Sequence, residues 1–403
     1  NDGCAIARSN EAKALGIAMG APWFEIEHMA ESAGLVALSA NFVLYGDMSD
    51  RMMSLAAGLG PAQEIYSIDE SFIDLAGVRG CLSERGLKVR TRILDWIGIP
   101  CCVGLGATKT LAKLANHVAK TAERKPGSYP PGLAQVCNLA ELTPAALNEV
   151  LAVTAVSEVW GVGRRITAQL KESGVHTALD LARLDPAMVR RRWSVVLERT
   201  VRELQGMACI ALDLAPARKQ EIACTRSFGH PLTELIDLNQ AVTEFASRAA
   251  HKLRRQGSLT HQVLVFVRTS PFRQAPQYSR SISIPLRRPS ADTGVIAEAA
   301  LRGLRSIYRP GYQLAKAGVM LLELKPATVQ HAELDLAHGE VPERSERSRL
   351  MTAMDELNQR YGRGTVHMAS RGLAGDTKAW AMKQERLTPG YTTCWADMPV
   401  VRA

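Results

Sequence analysis

Two adjacent carboxylates stand where a predicted hairpin turns. Residues 64–75 are rich in β-branched and aromatic residues, and Asp69 and Glu70 interrupt the run near its middle. Neighbouring side chains on a regular strand point to opposite faces, so both carboxylates can serve one site only at a turn or bulge. Two like charges repel unless a cation neutralises them, and hard oxygen ligands suit Mg²⁺. The pair is therefore either a metal-binding site or an acidic turn that faces solvent.

Two lysines four residues apart begin a predicted helix. Gly104 and Gly106 come before Lys109, and Lys113 lies on the same helix face as Lys109. The segment is not a Walker phosphate loop, because Thr108 stands where that loop needs a glycine. As two flexible point charges, the lysines could nevertheless bind a triphosphate. A basic helix face exposed to solvent would have the same spacing.

A Gly-x-Gly segment lies between two predicted helices. Gly161 and Gly163 allow the backbone to approach a phosphate closely and present amide groups at a helix start, and Arg164 follows them. This arrangement is typical of a helix-hairpin-helix, which binds phosphates without reading sequence. A plain turn between two helices, with exposed arginines, is the alternative.

The positive charge of the chain is concentrated in one segment. The 403 residues carry a net charge of +9, and residues 219–325, with 16 basic and 7 acidic residues, account for all of it. Mixed signs would serve solubility, so an excess of one sign favours binding of a polyanion. The arginines that we expect to face nucleic acid in this segment are Arg226, Arg254, Arg255, Arg268, Arg287 and Arg288.

Composition excludes several classes of protein. With 46% hydrophobic residues, the chain can form cores in about three domains, which excludes a disordered or fibrous protein. No two of the eight cysteines are spaced as C-x-x-C, so neither a zinc site nor a disulfide framework is expected. No apolar run approaches the roughly 18–20 residues of a membrane helix. We therefore expect a cytoplasmic protein.

Secondary-structure patterns divide the chain into five parts. Short helices are predicted up to residue 62, and strands and helices alternate in mixed order over residues 63–138. Residues 139–218 are predicted to be helical and contain the Gly-x-Gly segment. Residues 219–326 follow the order β-α-β-β-α-β, and residues 327–403 contain one further helix and an irregular end. The predicted fold class is α+β, with several domains.

The sequence resembles a known family from end to end. Six segments carry the likeness: residues 1–13, residues 66–72 with the sequence Tyr-Ser-Ile-Asp-Glu-Ser-Phe, and residues 108–116, 159–165, 225–229 and 389–393. Together they are similar to the UmuC-like branch of the Y-family translesion DNA polymerases. The resemblance implies a right-hand architecture, with fingers over residues 1–62, a palm over 63–138, a helical thumb over 139–218, a little finger over 219–326 and a C-terminal tail over 327–403.

The resemblance gives the acidic pair a catalytic role. Asp69 and Glu70 match two of the family's three metal-binding acids, which hold two Mg²⁺ ions for nucleotidyl transfer. The third acid, and the aromatic residue that excludes ribonucleotides, would precede Asn1. We therefore expect an element upstream of Asn1, and these 403 residues alone are expected to be catalytically impaired.

The resemblance also assigns the residues that bind the incoming dNTP. Lys113 matches the family's triphosphate-binding lysine, and Asn10 and Lys13 match fingers positions that face the triphosphate. Ile6 would lie over the nascent base pair. Neither lysine would contact the template duplex.

The expected partners follow from the same resemblance. Primer-template DNA and dNTP are the substrates of an error-prone synthesis past lesions in SOS mutagenesis, with a processed UmuD-like dimer and a RecA filament as protein partners. Binding to the sliding clamp is expected to be weak, because Glu333 and Ala337 replace the glutamine and the aromatic residue of the clamp-binding peptide.

Two other functions fit the same residues. A non-catalytic DNA-binding accessory protein of repair would need only the helix-hairpin-helix and the basic segment. A nuclease would also use paired carboxylates with Mg²⁺, because phosphodiester hydrolysis has the same metal requirement. Primer extension, measured against DNA degradation, distinguishes the three.

Overall fold

The computed structural model describes residues 2–215, 217–328, 347–372 and 378–400. The chain divides into two compact units, each built from two separate segments of sequence. Unit 1 comprises Asn1–Ala40 and Ala217–Thr388, and unit 2 comprises Asn41–Pro216 and Pro389–Ala403. The five-part division expected from the sequence stays a prediction.

Short helices form the first segment of unit 1. They are α1 (Asn10–Ala14), α2 (Trp23–Ile26) and α3 (Met29–Ser32). The first of them begins where Ser9 Oγ accepts a hydrogen bond from Ala12 N at 3.1 Å. This side chain satisfies one of the amide groups that a helix start leaves without a backbone partner.

Hydrogen bonds join the two segments of unit 1. Asp2 N donates to Lys383 O at 3.0 Å, and Ser39 N donates to Arg386 O at 2.9 Å. The Asp2 carboxylate also accepts from Ser39 Oγ at 2.8 Å and from Glu385 N at 3.0 Å. The start of the chain is therefore fixed to residues that follow it by more than 300 positions.

Unit 2 begins with helices and short strands in mixed order. Its elements here are α4 (Phe42–Ala57), β1 (Ala62–Ile65), β2 (Ser71–Asp74), α5 (Leu82–Ile97), β3 (Val103–Leu105), α6 (Lys109–Arg124) and β4 (Val136–Asn138). β1 and β2 form the predicted antiparallel hairpin, and β3 and β4 form a separate parallel pair. α6 packs closely on β3 because Gly104 has no side chain, since a Cβ there would lie 2.1 Å from Asn116 N.

The rest of unit 2 is helical up to residue 204, as predicted, whereas residues 205–215, for which helix was also predicted, form turns and irregular structure. It contains α7 (Pro144–Val153), α8 (Arg164–Glu172), α9 (Ala178–Ala182), α10 (Pro186–Arg192) and α11 (Val195–Leu204). Their buried side chains, such as Leu170 and Leu181, share one core with Leu114 and Val118 of α6. Burial of a large apolar side chain contributes about 1.5–3 kcal/mol, so this core binds the helices to α6.

The second segment of unit 1 folds into a sheet with two helices. Its elements are β5 (Ile222–Leu232), α12 (Leu235–Arg255), β6 (Ser258–Thr269), β7 (Ser279–Ser290), α13 (Thr293–Ile307), β8 (Leu314–Leu322) and β9 (Lys325–Pro326). The predicted β-α-β-β-α-β order is confirmed, and the strands are arranged β5-β8-β6-β7 with antiparallel neighbours. Val263, Val265 and Val319 are buried in the core that the helices share with one face of the sheet.

A last helix, α14 (Arg347–Arg360), packs against α12 through an ion-pair cluster. The Asp355 carboxylate accepts from Arg254 Nε at 2.7 Å and Nη2 at 2.8 Å, and lies 3.0 Å from His251 Nδ1. Partial burial opposes ionisation of Asp355, yet the hydrogen bonds from Arg254 and His251 outweigh it and lower the pKa of the carboxyl. Among the residues described, no helix has the length and apolar character needed to span a membrane.

Replacing Asp355 by Asn should loosen α14. A hydrogen bond to a charged group contributes about 1.5–3 kcal/mol, so amide exchange in α14 should accelerate roughly tenfold to a hundredfold by hydrogen–deuterium exchange. Glu356→Asn, an exposed neighbour, is the control. Because the pKa of Asp355 is lowered, the native protein should keep this protection at neutral pH and lose it only as the pH falls through that pKa. Equal exchange in the two variants would contradict the role of the cluster.

Candidate active site and nucleic-acid interface

The two carboxylates lie in the turn between β1 and β2. Tyr66 N and Ser67 N both donate to the carbonyl oxygen of Glu70 at 3.0 Å, which closes the turn. Ser67 Oγ donates to Asp69 Oδ1 at 2.6 Å. Asp69 is exposed and Glu70 is half-buried. A turn of this kind removes the strand alternation that would otherwise separate the two side chains.

Lys113 of α6 contacts the same turn. Its Nζ donates to Glu70 Oε2 at 2.7 Å and lies 4.9 Å from the centroid of the Tyr66 ring. Asp69, Glu70 and Lys113 together line one side of a cleft with a volume of about 640 Å³. The structure therefore brings these three predicted residues into one site.

Lys109 lies one turn earlier on α6 but has a different environment. Its Nζ is 2.6 Å from Glu64 Oε2, and both side chains are only 10% exposed. The ammonium group also lies 4.5 Å from the centroid of the Phe72 ring, and Glu64 accepts a second hydrogen bond from Asp213 N at 2.7 Å. Both lysines line the cleft, but Lys109 is held by an internal ion pair with Glu64, whereas Lys113 binds Glu70 of the turn.

Glu203 holds the start of α6 and is fully buried. Its carboxylate accepts from Thr110 N at 2.9 Å and Thr110 Oγ1 at 2.8 Å, and also from Cys209 N at 3.1 Å and Ile210 N at 2.8 Å. A carboxylate at a helix N-terminus is favoured by the helix dipole. Sequence reasoning missed this residue, because its main partner is 93 positions away and no local pattern marks the contact.

The Gly-x-Gly segment touches the carboxylate turn through Trp160. Trp160 Nε1 donates to Tyr66 Oη at 3.1 Å, and its ring lies 5.7 Å from the rings of Tyr66 and Phe72. Gly161 has a φ of +88°, a conformation that favours glycine. Gly163 caps α8, and Arg164 at the helix start is exposed. Binding of a phosphate by this segment stays a prediction.

Asp69 and Glu70 suit a divalent cation but form only part of a metal site. Among the described residues, no group of three or more His, Cys, Asp or Glu side chains could hold a metal ion. Mg²⁺ commonly binds one or two carboxylates and keeps waters or substrate phosphates as its other ligands. The donor set fits Mg²⁺ on those terms, and Lys113 now holds the Glu70 oxygen that a cation would use.

The predicted fingers residues belong to unit 1. Asn10 is the first residue of α1, and Lys13 Nζ lies 3.5 Å from Asn10 Oδ1 on the same helix. Ile6 precedes this helix and is half-exposed. The structure thus brings Asn10 and Lys13 together, and their relation to the incoming nucleotide stays a prediction.

The sheet of unit 1 has one face that α12 and α13 do not cover. Arg268 is exposed there and pairs in register with Lys316 on β8. Partial burial and the nearby Arg268 lower the pKa of Lys316. Sequence reasoning missed Lys316. This residue lies on the same face of β8 as Met320, which is also partly exposed. Two cations therefore stand side by side on an open sheet.

Two predicted DNA-binding arginines make internal contacts on the helical side. Arg254 is held by Asp355 and also donates to Ala291 O at 2.8 Å. The Arg226 guanidinium lies 5.3 Å from the Trp380 ring. The other predicted arginines of this unit, Arg255, Arg287 and Arg288, are exposed. The proposed clamp-binding peptide at 332–337 lies outside the described residues.

Family models cover most of the chain. The impB/mucB/samB family model matches residues 1–117, and the C-terminal domain model of that family matches residues 219–336. A domain of unknown function, DUF4113, matches residues 348–401.

Curated relatives are similar over most or all of the chain. Protein ImpB of Salmonella typhimurium is 44% identical over 100% of this chain and 92% of its own length. Protein UmuC of Salmonella typhimurium LT2 is 42% identical over 99% of this chain and 92% of its own length. DNA polymerase IV of Moorella thermoacetica is 29% identical over 81% of this chain and 76% of its own length.

A solved structure agrees with the fold. A Y-family DNA polymerase chimera aligns with a TM-score of 0.58 at 18% identity, over 81% of this chain and 88% of that chain. The fold is accordingly that of the Y-family DNA polymerases. With relatives above 40% identity along its length, the chain belongs to the impB/mucB/samB family. The resemblance predicted from the sequence is confirmed.

Replacing Lys109 by Ala should destabilise unit 2. Removing one partner of a buried pair leaves Glu64 charged and unpaired, which costs about 3–5 kcal/mol in the free energy of unfolding. The same replacement of Lys120, an exposed residue of α6, is the control. Urea unfolding followed by circular dichroism measures both. If Lys109→Ala and Lys120→Ala unfold at the same urea concentration, the pair does not stabilise the hairpin.

Proposed function

We propose that the chain is an error-prone, template-directed DNA polymerase of translesion synthesis and SOS mutagenesis. Similarity to proteins named UmuC, MucB and DNA polymerase IV supports this function. The observation that carries the proposal is the contact between Glu70 and Lys113 at the cleft, 2.7 Å apart. A nucleotidyl transferase needs acidic and basic groups side by side, because it binds metal cations and an anionic triphosphate at one place.

Each residue of the cleft has a distinct role in the proposal. Asp69 and Glu70 would hold two Mg²⁺ ions together with the family's third acid, and the ions would supply activation of the primer hydroxyl and neutralisation of charge on the leaving pyrophosphate. Lys113 exchanges Glu70 for a phosphate oxygen when a nucleotide is bound, so that its ammonium charge stabilises the triphosphate. Asn10 and Lys13 contact the triphosphate as well.

Ile6 of unit 1 and three aromatic side chains of unit 2 contribute without charge. Ile6, which is half-exposed, packs over the nascent base pair in the proposal. Tyr66, Phe72 and Trp160 keep the turn rigid by ring contacts near 5.7 Å. A rigid turn matters because ligands displaced by even an ångström lose much of their catalytic effect.

Primer-template DNA binds through its phosphates in the proposal. Gly161, Gly163 and Arg164 contact the backbone at the helix-hairpin-helix, and Arg268 and Lys316 contact it on the open sheet face. Arg255, Arg287 and Arg288 add charge around that sheet. Binding of this kind is independent of base sequence, as a polymerase requires.

Protein partners and location belong to the same proposal. A processed UmuD-like dimer and a RecA filament act with the polymerase, and the sliding clamp binds weakly. Because its substrate is DNA, the polymerase acts in the bacterial cytoplasm, at the nucleoid.

Asp69→Asn and Glu70→Gln should each abolish primer extension while sparing DNA binding. Loss of a group that stabilises charge in the transition state costs about 10²–10³-fold in rate, and loss of a metal ligand should cost at least as much. Asp95→Asn, an exposed residue of α5, is the control. Single-nucleotide insertion and fluorescence anisotropy on the same primer-template, in the full-length protein, measure the two properties. Normal insertion by either variant would remove the pair from the active site.

Replacing Arg268 and Lys316 together by Gln should weaken DNA binding and its salt dependence. Each lost phosphate contact reduces the slope of log K against log salt by about 0.9, so the double change should reduce it by about 1.8. Arg302→Gln, exposed on α13, is the control. Fluorescence anisotropy titrations at salt concentrations between about 50 and 200 mM measure the slope of log K against log salt for each protein. An unchanged slope would place the DNA on another surface.

A further inference from the structure

Described residues of unit 1 between 347 and 388 pack on the helical side of its sheet. Trp380 is 2% exposed and lies in the core, with its ring 5.9 Å from Phe245 of α12. Arg371 Nε lies 2.8 Å from Glu244 Oε2, and the Glu244 side chain is only 9% exposed. Gly229 N on β5 donates to Ala381 O at 2.8 Å. These contacts fix the segment against both β5 and α12.

An excess of cations surrounds Glu244. Arg226 from β5, Arg248 from α12, and Arg363, Arg371 and Lys378 from the following segment all interact with this one carboxylate or with each other. The Arg226 guanidinium and the Lys378 ammonium lie 5.3 Å and 4.9 Å from the Trp380 ring. We call these five cations the tail cluster.

The tail cluster is electrostatically costly as it stands. Partial burial is the larger cause, and repulsion from Arg248 the second, that lowers the pKa of Arg226 and the pKa of Arg363. Partial burial, followed by Arg371, lowers the pKa of Lys378. Charges that lose water need a compensating opposite charge, and among the described residues that interact with these five cations Glu244 is the one carboxylate. An additional anion would stabilise the whole group.

A buried hydrogen-bond donor lies on the tryptophan that contacts the tail cluster. Trp380 Nε1 is buried, and among the described residues it has no acceptor. Buried donors in folded proteins nearly always have a partner, so one without an acceptor deserves an explanation. An anion bound against the Trp380 ring, beside Arg226 and Lys378, could accept from it.

We propose that the tail cluster is a phosphate-binding site, separate from the cleft and from the open face of the sheet. Arginine predominates in it, and the planar guanidinium group binds phosphate oxygens in pairs. The phosphate belongs either to a nucleic-acid backbone or to a free polyphosphate. This inference does not depend on polymerase activity. It gives the segment that matches the domain of unknown function a ligand-binding role.

Arginine footprinting of the full-length protein tests the proposal. Phenylglyoxal modifies accessible arginines, and mass spectrometry gives the rate at each residue with inorganic tripolyphosphate, with a single-stranded oligonucleotide, or with sodium chloride of equal ionic strength. Modification of Arg363 and Arg248 should slow roughly fivefold or more at saturation with at least one of the two phosphate compounds. Arg360, exposed three positions before Arg363, should react at the same rate throughout.

Variants separate the possible outcomes. Arg363→Gln should remove the protection of Arg248, whereas Arg360→Gln should leave it intact. Protection by tripolyphosphate indicates a free polyphosphate ligand, and protection by the oligonucleotide alone indicates a nucleic-acid backbone. Protection of Arg363 and Arg248 should persist in the Asp69→Asn variant. The test of the tail cluster is therefore independent of the test of the proposed polymerase site. Unchanged rates at Arg363 and Arg248, or equal slowing at Arg360, would overturn the proposal.

Discussion

The ion pair between Lys109 and Glu64 is the interaction on which the cleft depends. Glu64 lies on β1, directly before the turn that carries Asp69 and Glu70, and Lys109 opens the helix that carries Lys113. Both side chains are nearly buried, so separating the two charges would leave each of them without a partner at a large cost in free energy. The pair therefore fixes the distance between the acidic turn and the basic helix, and the weaker, more exposed contact of Glu70 with Lys113 is left free to open.

Cations in this protein consequently serve two purposes. Lys109 and Arg254 are paired with carboxylates inside their units, and both stabilise packing between elements. Lys113, Arg268 and Lys316 lie at surfaces where an anion can approach. Net charge alone does not distinguish the two groups, because an arginine contributes the same formal charge in either place. The distinction depends on which carboxylates the fold brings near each one.

Features with a local cause could be predicted from the sequence. The hairpin, the position of its carboxylates in the turn, and the β-α-β-β-α-β order follow from hydrophobic periodicity and turn residues. The family resemblance added the roles that we propose for Asp69, Glu70 and Lys113. Spacing put Lys109 and Lys113 on one helix face, but it could not show that Lys109 is buried against Phe72.

Contacts between distant parts of the chain could not be predicted in the same way. Trp160 meets Tyr66 across 94 positions, and Glu203 meets Thr110 across 93. No periodicity marks such pairs, because each depends on how complete elements pack. The same reason explains Arg226 and Arg254, which sequence reasoning assigned to DNA and which the structure shows in contact with Trp380 and Asp355.

The division into units has a topological consequence. The polypeptide passes between unit 1 and unit 2 at residues 40–41, near residue 216 and at residues 388–389, so neither unit is a continuous stretch of the gene. A single cut near residue 216 would leave two fragments that each contain part of both units. Hydrogen bonds such as Asp2 to Lys383 and Ser39 to Arg386 would then connect one fragment to the other. Separating the two units would therefore take three cuts, at residues 40–41, near residue 216 and at residues 388–389.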